Sequence, residues 1–258
     1  MTEYCRFDEL GSELRCVSCE VVRIKDMLRD AVWNAGAHGF AVGVSGGIDS
    51  AVALALCAKA VGPANVTGVF IPAQNTLSQD FEDAKEVCEQ YGVNLIICPI
   101  GGAVAALKEN PAYTDTPLLS GNTASRLRMT VLYNIAGARG YLVCGTSNRT
   151  EYMIGYSTKW GDAAADVQPL LHLYKKDVYT LAKEIEIPDS IINKAPSAGF
   201  FAGQTDEAEI GISYADLDRA LAALEKQNGE AATPLEEKVL AMVEKSRHKR
   251  MPAKSLLY

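Results

Sequence analysis

The stretch that most constrains this chain is a short apolar run that stops at a glycine-rich corner and restarts as a second apolar run. The first run and the corner read Gly39-Phe40-Ala41-Val42-Gly43-Val44-Ser45-Gly46-Gly47-Ile48-Asp49-Ser50, and the second run reads Ala51-Val52-Ala53-Leu54-Ala55-Leu56. This pattern predicts a buried strand that enters a helix through a tight turn. Because successive backbone N–H groups are exposed at such a helix N-terminus, the corner is suited to phosphate. The sequence therefore predicts a nucleotide-binding protein.

Two common phosphate-binding motifs are excluded at this corner. It lacks the lysine of the Walker-type loop G-x-x-x-x-G-K-[ST], and its spacing does not fit the dinucleotide pattern G-x-G-x-x-G. The six residues 45–50 instead resemble the pyrophosphate loop of the ATP pyrophosphatase family, whose members split ATP between its α- and β-phosphates. The alternative that this motif leaves open is a glycine turn in an ordinary doubly wound domain.

Composition restricts the class of protein and of partner. The 258 residues are 48% apolar and 22% charged, as in ordinary globular proteins, and no apolar run reaches the ~18 residues of a membrane span. The net charge of −7 would repel a nucleic acid, and the dense basic cluster at 245–250 is too small to form a nucleic-acid surface. The acidic N-terminus lacks an apolar signal core. We therefore expect a cytoplasmic protein without membrane or nucleic-acid partners.

The cysteines imply no disulfide framework, because there are seven of them at scattered positions. Cys16 and Cys19 form a lone C-x-x-C without a second pair to complete a zinc site. We expect both thiols to be structural, because isolated thiols behave as small buried apolar groups.

Apolar runs alternate with helical patterns along the first half of the chain. Strands are predicted at 39–44, 66–71, 94–100 and 141–144, and helices at 8–36, 51–61, 78–91 and 122–139. This order favours an α/β fold with a doubly wound, mostly parallel sheet and helices on both faces. Ligands of such sheets bind beyond the carboxyl ends of the strands. The corners at 45–50 and 145–151 should therefore meet if the first and fourth strands are neighbours.

The rest of the chain contains two segments without a clear period and several further helical patterns. Residues 108–121 and 194–213 are predicted as loops, whereas 174–185 and two parts of the tail 214–249 are predicted as helices. Because no repeat, low-complexity tract or linker divides the chain, we expect one domain over 1–258.

Several further stretches match the motifs of one family. They are GNTASRLRM at 121–129, GTSNRTE at 145–151, GYSTKWGDAAAD at 155–166, KAPSAGF at 194–200 and GQTDE at 203–207. In this order, and over roughly residues 20–250, they resemble the ammonia-dependent NAD synthetases. The resemblance implies an adenine nucleotide alpha-hydrolase-like fold and a homodimer with its substrate site at the interface. It also implies a ligase that amidates the nicotinate carboxylate of deamido-NAD with ATP, Mg²⁺ and ammonia, and releases AMP and pyrophosphate.

The implied chemistry accounts for these residue types. A carboxylate must first become a mixed anhydride with AMP, and preorganised N–H donors and a divalent ion stabilise the charge on the departing pyrophosphate. Asp49 and Glu151 match the magnesium ligands of the family, and Mg²⁺ prefers one or two carboxylates with phosphate oxygens and water. The positions that match ATP contacts are Gly43, Val44, Ser45, Gly46, Gly47, Ile48, Asp49, Ser50, Thr146, Lys175 and Ser197.

A second group of residues matches the positions that hold deamido-NAD. These are Arg126, Lys159, Asp166, His248 and Lys249. We expect Asp49, Lys175 and Asp166 to be catalytic, and we hypothesise that Asp166 receives ammonium and accepts its proton. Without the resemblance, Asp49 would be interpreted as a helix cap, and Glu151, Lys175 and His248 as solvated charges.

The chain also departs from the family pattern. Ala124 and Ser125 replace the lysine and alanine of N-x-K-A-R, and Ser157, Trp160 and Ala163 stand where an aromatic residue, tyrosine and glycine are frequent. These departures concern substrate contacts rather than the class of reaction.

The nitrogen source is predicted from the length of the segment before the loop. About 44 residues precede Ser45, far fewer than an ordinary domain, so we expect no amidase domain. Free ammonia, or ammonia from a separate glutaminase subunit, would then be used.

Two other functions remain open at this point. One is another pyrophosphate-loop ligase, either GMP-forming or tRNA-thiolating, for which Cys144 would be a candidate thiol. The other is a regulator that binds ATP without turnover. Release of AMP only in the presence of deamido-NAD would distinguish the synthetase from the regulator, and activity after replacement of all seven cysteines by serine would exclude a thiolating enzyme.

Overall fold

A parallel β-sheet forms the centre of the structure, a computed structural model that describes residues 16–73, 79–196 and 205–256. Its strands are β1 (Phe40–Gly43), β2 (Val66–Phe70), β3 (Asn94–Ile97) and β4 (Leu142–Cys144), in the spatial order β3-β2-β1-β4. The chain proceeds outward from β1 to β3 and then crosses to β4, which pairs with the other side of β1. Strand order therefore reverses between β1 and β4, and the ligand crevice of such a sheet lies beyond their carboxyl ends.

Helices occupy most of the remaining described chain. They are α1 (Val17–Ala35), α2 (Ile48–Val61), α3 (Gln79–Gln90), α4 (Gly101–Lys108), α5 (Pro117–Arg139), α6 (Arg149–Ile154), α7 (Lys175–Glu184), α8 (Asp189–Ile192), α9 (Asp206–Ile210), α10 (Tyr214–Lys226) and α11 (Pro234–Arg250). Within the described ranges, none of these helices combines the length and the apolar character that crossing a bilayer requires.

The side chains of β1 alternate between two helical layers. Phe40 and Val42 are buried in a core with residues of α1, α2, α3 and α7, whereas Ala41 packs against α5 on the other face. Because consecutive strand residues point to opposite faces, both faces of the sheet are covered by helices. The predicted doubly wound parallel sheet is confirmed. A smaller core joins α6, α10 and α11 beside it.

Three segment boundaries differ from the sequence expectation. The predicted loop at 108–121 is wrong over its last residues, because α5 begins at Pro117, where Thr116 Oγ1 caps the helix by accepting from Leu119 N. The predicted loop at 194–213 contains α9, which Thr205 caps in the same way. The first helix begins at Val17, and residues 8–15 of that prediction lie outside the described chain.

The C-x-x-C pair also differs from expectation. Cys16 and Cys19 are joined by a disulfide at the start of α1, and Cys19 is exposed, so the interpretation of both as buried apolar thiols is wrong. Positions three apart on the first turn of a helix bring the two sulfurs within reach of each other. Cys57, Cys88 and Cys144 are buried free thiols, as expected for structural cysteines.

Candidate active site

The glycine-rich loop lies at the carboxyl end of β1 and enters α2. Ser50 Oγ fixes its shape, because it accepts from Ser45 N at 3.1 Å and donates to Gly47 O at 2.9 Å. Gly46 has a φ of +80°, and a Cβ built there would lie 2.7 Å from the Cα of Asp80 at the start of α3. Glycine is therefore required at this position both by the backbone conformation and by the close approach of α3. The loop amides are presented at the N-terminus of α2, as a phosphate site requires.

The segment that follows β4, residues 145–151, is the β4 corner. Its fully buried Asn148 forms a hydrogen bond to the glycine-rich loop. Its Oδ1 caps α6 by accepting from Glu151 N at 3.0 Å, and its Nδ2 donates to Asp49 Oδ1 at 2.9 Å. The Asn148 side chain thus fixes the start of the helix that carries Glu151 and also orients the carboxylate of Asp49. Sequence reasoning missed this residue, although an asparagine three positions before a glutamate is a signal for a helix cap.

Asn148→Ala is expected to lower the free energy of unfolding by about 1–2 kcal/mol, since it removes a helix cap and a buried partner of a carboxylate. We also expect kcat to fall by about tenfold, because Asp49 loses the donor that orients it. Thermal unfolding and steady-state kinetics measure the two effects. Asn148→Asp is the control for the cap: it keeps an acceptor for Glu151 N but places a like charge beside Asp49. Recovery of stability with no recovery of kcat would separate the two roles, and full activity of both variants would contradict them.

A buried lysine lies between two carboxylates where the two corners meet. Lys175 Nζ donates to Asp49 Oδ2 at 2.6 Å and to Glu151 Oε1 at 3.2 Å. The lysine side chain is 2% exposed, and those of Asp49 and Glu151 are 17% and 16% exposed. The corners therefore meet as predicted, and Lys175 is not a solvated charge.

Burial and neighbouring charges shift the pKa values of Lys175 and Glu151. Burial alone would lower the pKa of Lys175, but the carboxylates of Asp49 and Glu151 outweigh it and hold the pKa above its ordinary value. Burial raises the pKa of Glu151, and the charge of Asp49 adds to this effect while Lys175 opposes it. The ammonium of Lys175 is thus fixed in its charged state beside the two acids.

One residue that the sequence did not point to, Tyr214, completes the cluster. Tyr214 OH lies 3.1 Å from Glu151 Oε1 and 3.0 Å from Asp206 Oδ2, and its ring lies 4.7 Å from Lys175 Nζ. Tyr156 OH donates to the other oxygen of Asp206 at 3.2 Å. Asp206 falls inside the GQTDE motif, but nothing in the sequence connects Tyr214 to an acid more than sixty residues earlier.

Four of the five residues predicted to hold the dinucleotide lie close together, at a place separate from this cluster. Arg126 Nε donates to Lys159 O at 3.3 Å, Lys159 Nζ donates to His248 O at 2.6 Å, and Lys249 Nζ donates to Ser157 O at 2.6 Å. The C-terminal end of α11 therefore contacts the 155–161 turn, which in turn contacts α5. This basic surface suits an anionic ligand.

Asp166 occupies a different place from the rest of the predicted set. Its Oδ2 accepts from Val143 N at 2.7 Å and its Oδ1 accepts from Tyr133 OH at 3.2 Å, so it pairs with the edge of β4. Within the described chain, no hydrogen bond links its carboxylate to Asp49, Glu151 or Lys175. Its proposed role with ammonium stays a prediction. Thr146 lies at the β4 corner, and Ser197 lies outside the described residues.

The donor set of the cluster fits a hard divalent cation. Asp49 and Glu151 converge on one cationic atom, Lys175 Nζ, and carboxylate oxygens are the ligands that Mg²⁺ prefers. Glu151 Oε2 has no hydrogen-bond partner in the part of the chain that the structure describes. Among the described residues, no group of three or more His, Cys, Asp or Glu side chains could hold a metal ion. If Asp49 and Glu151 bind Mg²⁺, phosphate oxygens and water would therefore fill its other coordination positions.

Comparisons with known proteins agree over nearly the whole chain. A model of the NAD synthase family matches residues 20–253. The NH(3)-dependent NAD(+) synthetase of Methanoregula boonei is 50% identical over 241 residues, which cover 93% of this chain and 97% of that protein. The solved NH3-dependent NAD synthetase of Campylobacter jejuni, in complex with a nitrate ion, is 29% identical with a TM-score of 0.81 and covers 93% of this chain and 99% of its own. A solved NMN synthetase from Francisella tularensis is 35% identical with a TM-score of 0.85, over 94% of this chain and 99% of that one.

Proposed function

The chain belongs to the NAD synthase family, and from this premise we propose that the cluster of Asp49, Glu151 and Lys175 is where ATP reacts with deamido-NAD. The protein is a ligase that amidates deamido-NAD with ammonia to form NAD, on an α/β fold of the adenine nucleotide alpha-hydrolase-like type. One observation supports this assignment most strongly. The glycine-rich loop, Asp49 and Glu151 meet beyond the carboxyl ends of β1 and β4, where the strand order reverses.

The chemistry proceeds in two steps. A nicotinate carboxylate oxygen attacks the α-phosphorus of ATP, the bond from that phosphorus to the bridging oxygen breaks, and pyrophosphate leaves. Ammonia then attacks the carbonyl carbon of the anhydride, loses a proton, and displaces AMP, which keeps one carboxylate oxygen. The loop amides at the start of α2 would hold the leaving pyrophosphate, and the charge of Lys175 would stabilise it. Asp49 and Glu151 would hold Mg²⁺, which supplies charge neutralisation to the phosphates when it is bound.

A coupled assay tests this function. Purified protein receives ATP, Mg²⁺, ammonium and deamido-NAD, and an alcohol dehydrogenase reads the NAD that forms. We expect NAD only when all four are present, with one AMP released per NAD. Nicotinate mononucleotide in place of deamido-NAD tests the mononucleotide reaction that the name of the Francisella neighbour indicates. Folded protein that forms no NAD, or forms it with release of ADP, would contradict the proposal.

The nitrogen source and the compartment belong to the same proposal. We propose that the protein uses free ammonia, because the curated relatives that it matches are NH(3)-dependent synthetases, and that it works in the cytoplasm. Glutamine should therefore not replace ammonium in the assay unless a glutaminase is added. Activity with glutamine alone, or activity confined to a membrane fraction of the cell, would contradict this part.

We further propose that the enzyme is a homodimer with its substrate site at the interface. Leu118 and Leu119, at the start of α5, are 69% and 46% exposed. Leu119 lies seven residues before Arg126, so both are on one face of α5, and a second copy that covers the leucine would approach the basic surface.

Leu119→Asp is expected to dissociate the dimer and to raise KM for deamido-NAD by about tenfold or more, because a buried unpaired charge in an interface costs several kcal/mol. Sedimentation velocity and kinetics measure the two effects on one sample. Trp33→Asp, at an exposed aromatic position on α1, is the control and should change neither. A wild-type monomer, or a dissociated variant with an unchanged KM, would contradict an interfacial substrate site.

A further inference from the structure

Tyr214, the first residue of α10, lies where three of the site's charged groups meet. Its side chain is buried, its hydroxyl contacts Glu151 Oε1 at 3.1 Å and Asp206 Oδ2 at 3.0 Å, and Lys175 Nζ lies over its ring. The ring face is negative, so it attracts the lysine ammonium at the same time as the hydroxyl engages the acids. None of the functional expectations from the sequence includes this residue.

The contacts of Glu151 show what the tyrosine does to that carboxylate. Oε1 accepts from Lys175 Nζ at 3.2 Å and lies 3.1 Å from Tyr214 OH, whose single proton goes to this oxygen or to Asp206 Oδ2. When the tyrosine donates to Glu151, two donors hold one carboxylate oxygen and restrict the rotation of the carboxylate about its last bond.

Tyr214 is itself held in place by its surroundings. Its backbone N donates to Glu207 Oε1 at 2.7 Å, and its ring belongs to the small core of α6, α10 and α11 together with Ile154 and Leu217. Asp206, on α9, lies within hydrogen-bond distance of the same hydroxyl, with Oδ2 3.0 Å away. The tyrosine is thus a rigid support, and it links α9 and α10 to the acid on α6.

We propose that Tyr214 is a positioning residue for the ligase reaction, which holds Glu151 and Lys175 in the arrangement that receives the metal and the phosphates. This role rests on the proposed function of the cluster. Loss of a side chain that orients a metal ligand typically lowers metal affinity or activity by about 10- to 100-fold. The hydroxyl of Tyr214 should have an effect of that size.

The test compares Tyr214→Phe with Tyr91→Phe. The first loses the hydroxyl that contacts Glu151 and keeps the ring under Lys175. The second loses a half-buried hydroxyl that donates to Ile185 O, outside the site.

Binding of Mn²⁺ in the presence of ATP, followed by electron paramagnetic resonance, and steady-state kinetics are measured for both variants. We expect Tyr214→Phe to weaken Mn²⁺ binding by about tenfold or more and to lower kcat by about 10- to 100-fold, with KM for deamido-NAD unchanged. Tyr91→Phe should stay within about threefold of wild type in both measurements.

The outcomes separate the positioning role from the proposed function. Equal Mn²⁺ affinity and kcat in the two variants, with an active wild type, would overturn the role of Tyr214 alone. A wild type that forms no NAD would overturn the proposed function, and the Mn²⁺ comparison would still decide the role. If Tyr214→Phe does not fold, Asp206→Asn and Asp206→Leu replace it, because only the first keeps an acceptor for the tyrosine. Loss of Mn²⁺ affinity in the leucine variant with retention in the asparagine variant supports the role, and equal affinities contradict it.

Discussion

Lys175→Met is expected to lower kcat by about 10²- to 10³-fold, the largest single effect on catalysis that this site allows. Lys175 Nζ is the cation that lies against both Asp49 and Glu151, at 2.6 Å and 3.2 Å. Under the proposed function, the lysine charge would stabilise the negative charge that develops on the departing pyrophosphate, and methionine keeps the length of the side chain without that charge. Steady-state NAD formation measures the loss.

The same substitution should destabilise the metal-free protein. Removing one partner of a buried ion pair costs about 3–5 kcal/mol, and the lower end applies here because the two acids are 17% and 16% exposed. Mg²⁺ should restore more stability to the variant than to the wild type, since the metal would neutralise the acids that the lysine no longer pairs. Thermal unfolding with and without Mg²⁺ reports both effects.

Lys176→Met is the matched control for this prediction. Lys176 is the next residue on α7, is exposed, and carries the same charge. Its replacement should leave kcat and stability near the wild-type values. A Lys175→Met enzyme that kept kcat within threefold of wild type would remove the lysine from the catalytic site, whatever its effect on stability.

Gly46→Ala is expected to lower kcat/KM for ATP by about 10²-fold and to destabilise the fold by about 1–3 kcal/mol. Gly46 has a φ of +80°, and an added Cβ would lie 2.7 Å from the Cα of Asp80. The backbone of α3 cannot yield without moving that helix, so the loop itself would shift. Under the proposed function, its amides would then lie out of place for the phosphates. Kinetics with varied ATP and thermal unfolding measure the two losses.

Gly47→Ala is the control one residue later. Gly47 has a φ of −97°, which any residue adopts, and a Cβ there would lie 3.4 Å from Ser45 Oγ, an ordinary contact. Its stability should remain within about 0.5 kcal/mol of wild type. If both alanine variants lost the same stability, or if Gly46→Ala lost none, the close approach of α3 would not be what requires glycine at position 46.

The sequence pattern predicted the parts of the site that depend on local order. Alternating strands and helices imply a parallel sheet, and the corners after the first and fourth strands then lie at one edge. Together with the family resemblance, this order predicted that Asp49 and Glu151 lie close together. The start of α5 could also have been predicted, because Thr116-Pro117 is a helix-start signal. The prolines and glycines around it favoured a loop instead.

The rest of the site depends on how distant elements dock. Tyr214 reaches Glu151 because α10 packs on α6 and α7, and no local pattern encodes that packing. The hydrogen bond of the Asp166 carboxylate with Val143 N, at the edge of β4, likewise could not be predicted from the motif, and the predicted substrate contact of Asp166 stays a prediction. Side chains whose partners lie more than sixty residues away are fixed by tertiary packing, which a single sequence does not display.

Transfer of oxygen-18 from deamido-NAD is the most direct test that this protein adenylates a carboxylate. The nicotinate carboxylate is labelled with ¹⁸O, and the protein is supplied with ATP, Mg²⁺ and ammonium. Because the carbon–oxygen bond breaks when ammonia displaces AMP, each AMP should carry one ¹⁸O atom, and the label in AMP should equal the NAD formed. Mass spectrometry of AMP and pyrophosphate reads the result. Unlabelled AMP alongside NAD, or label in pyrophosphate or inorganic phosphate, would contradict an adenylated intermediate.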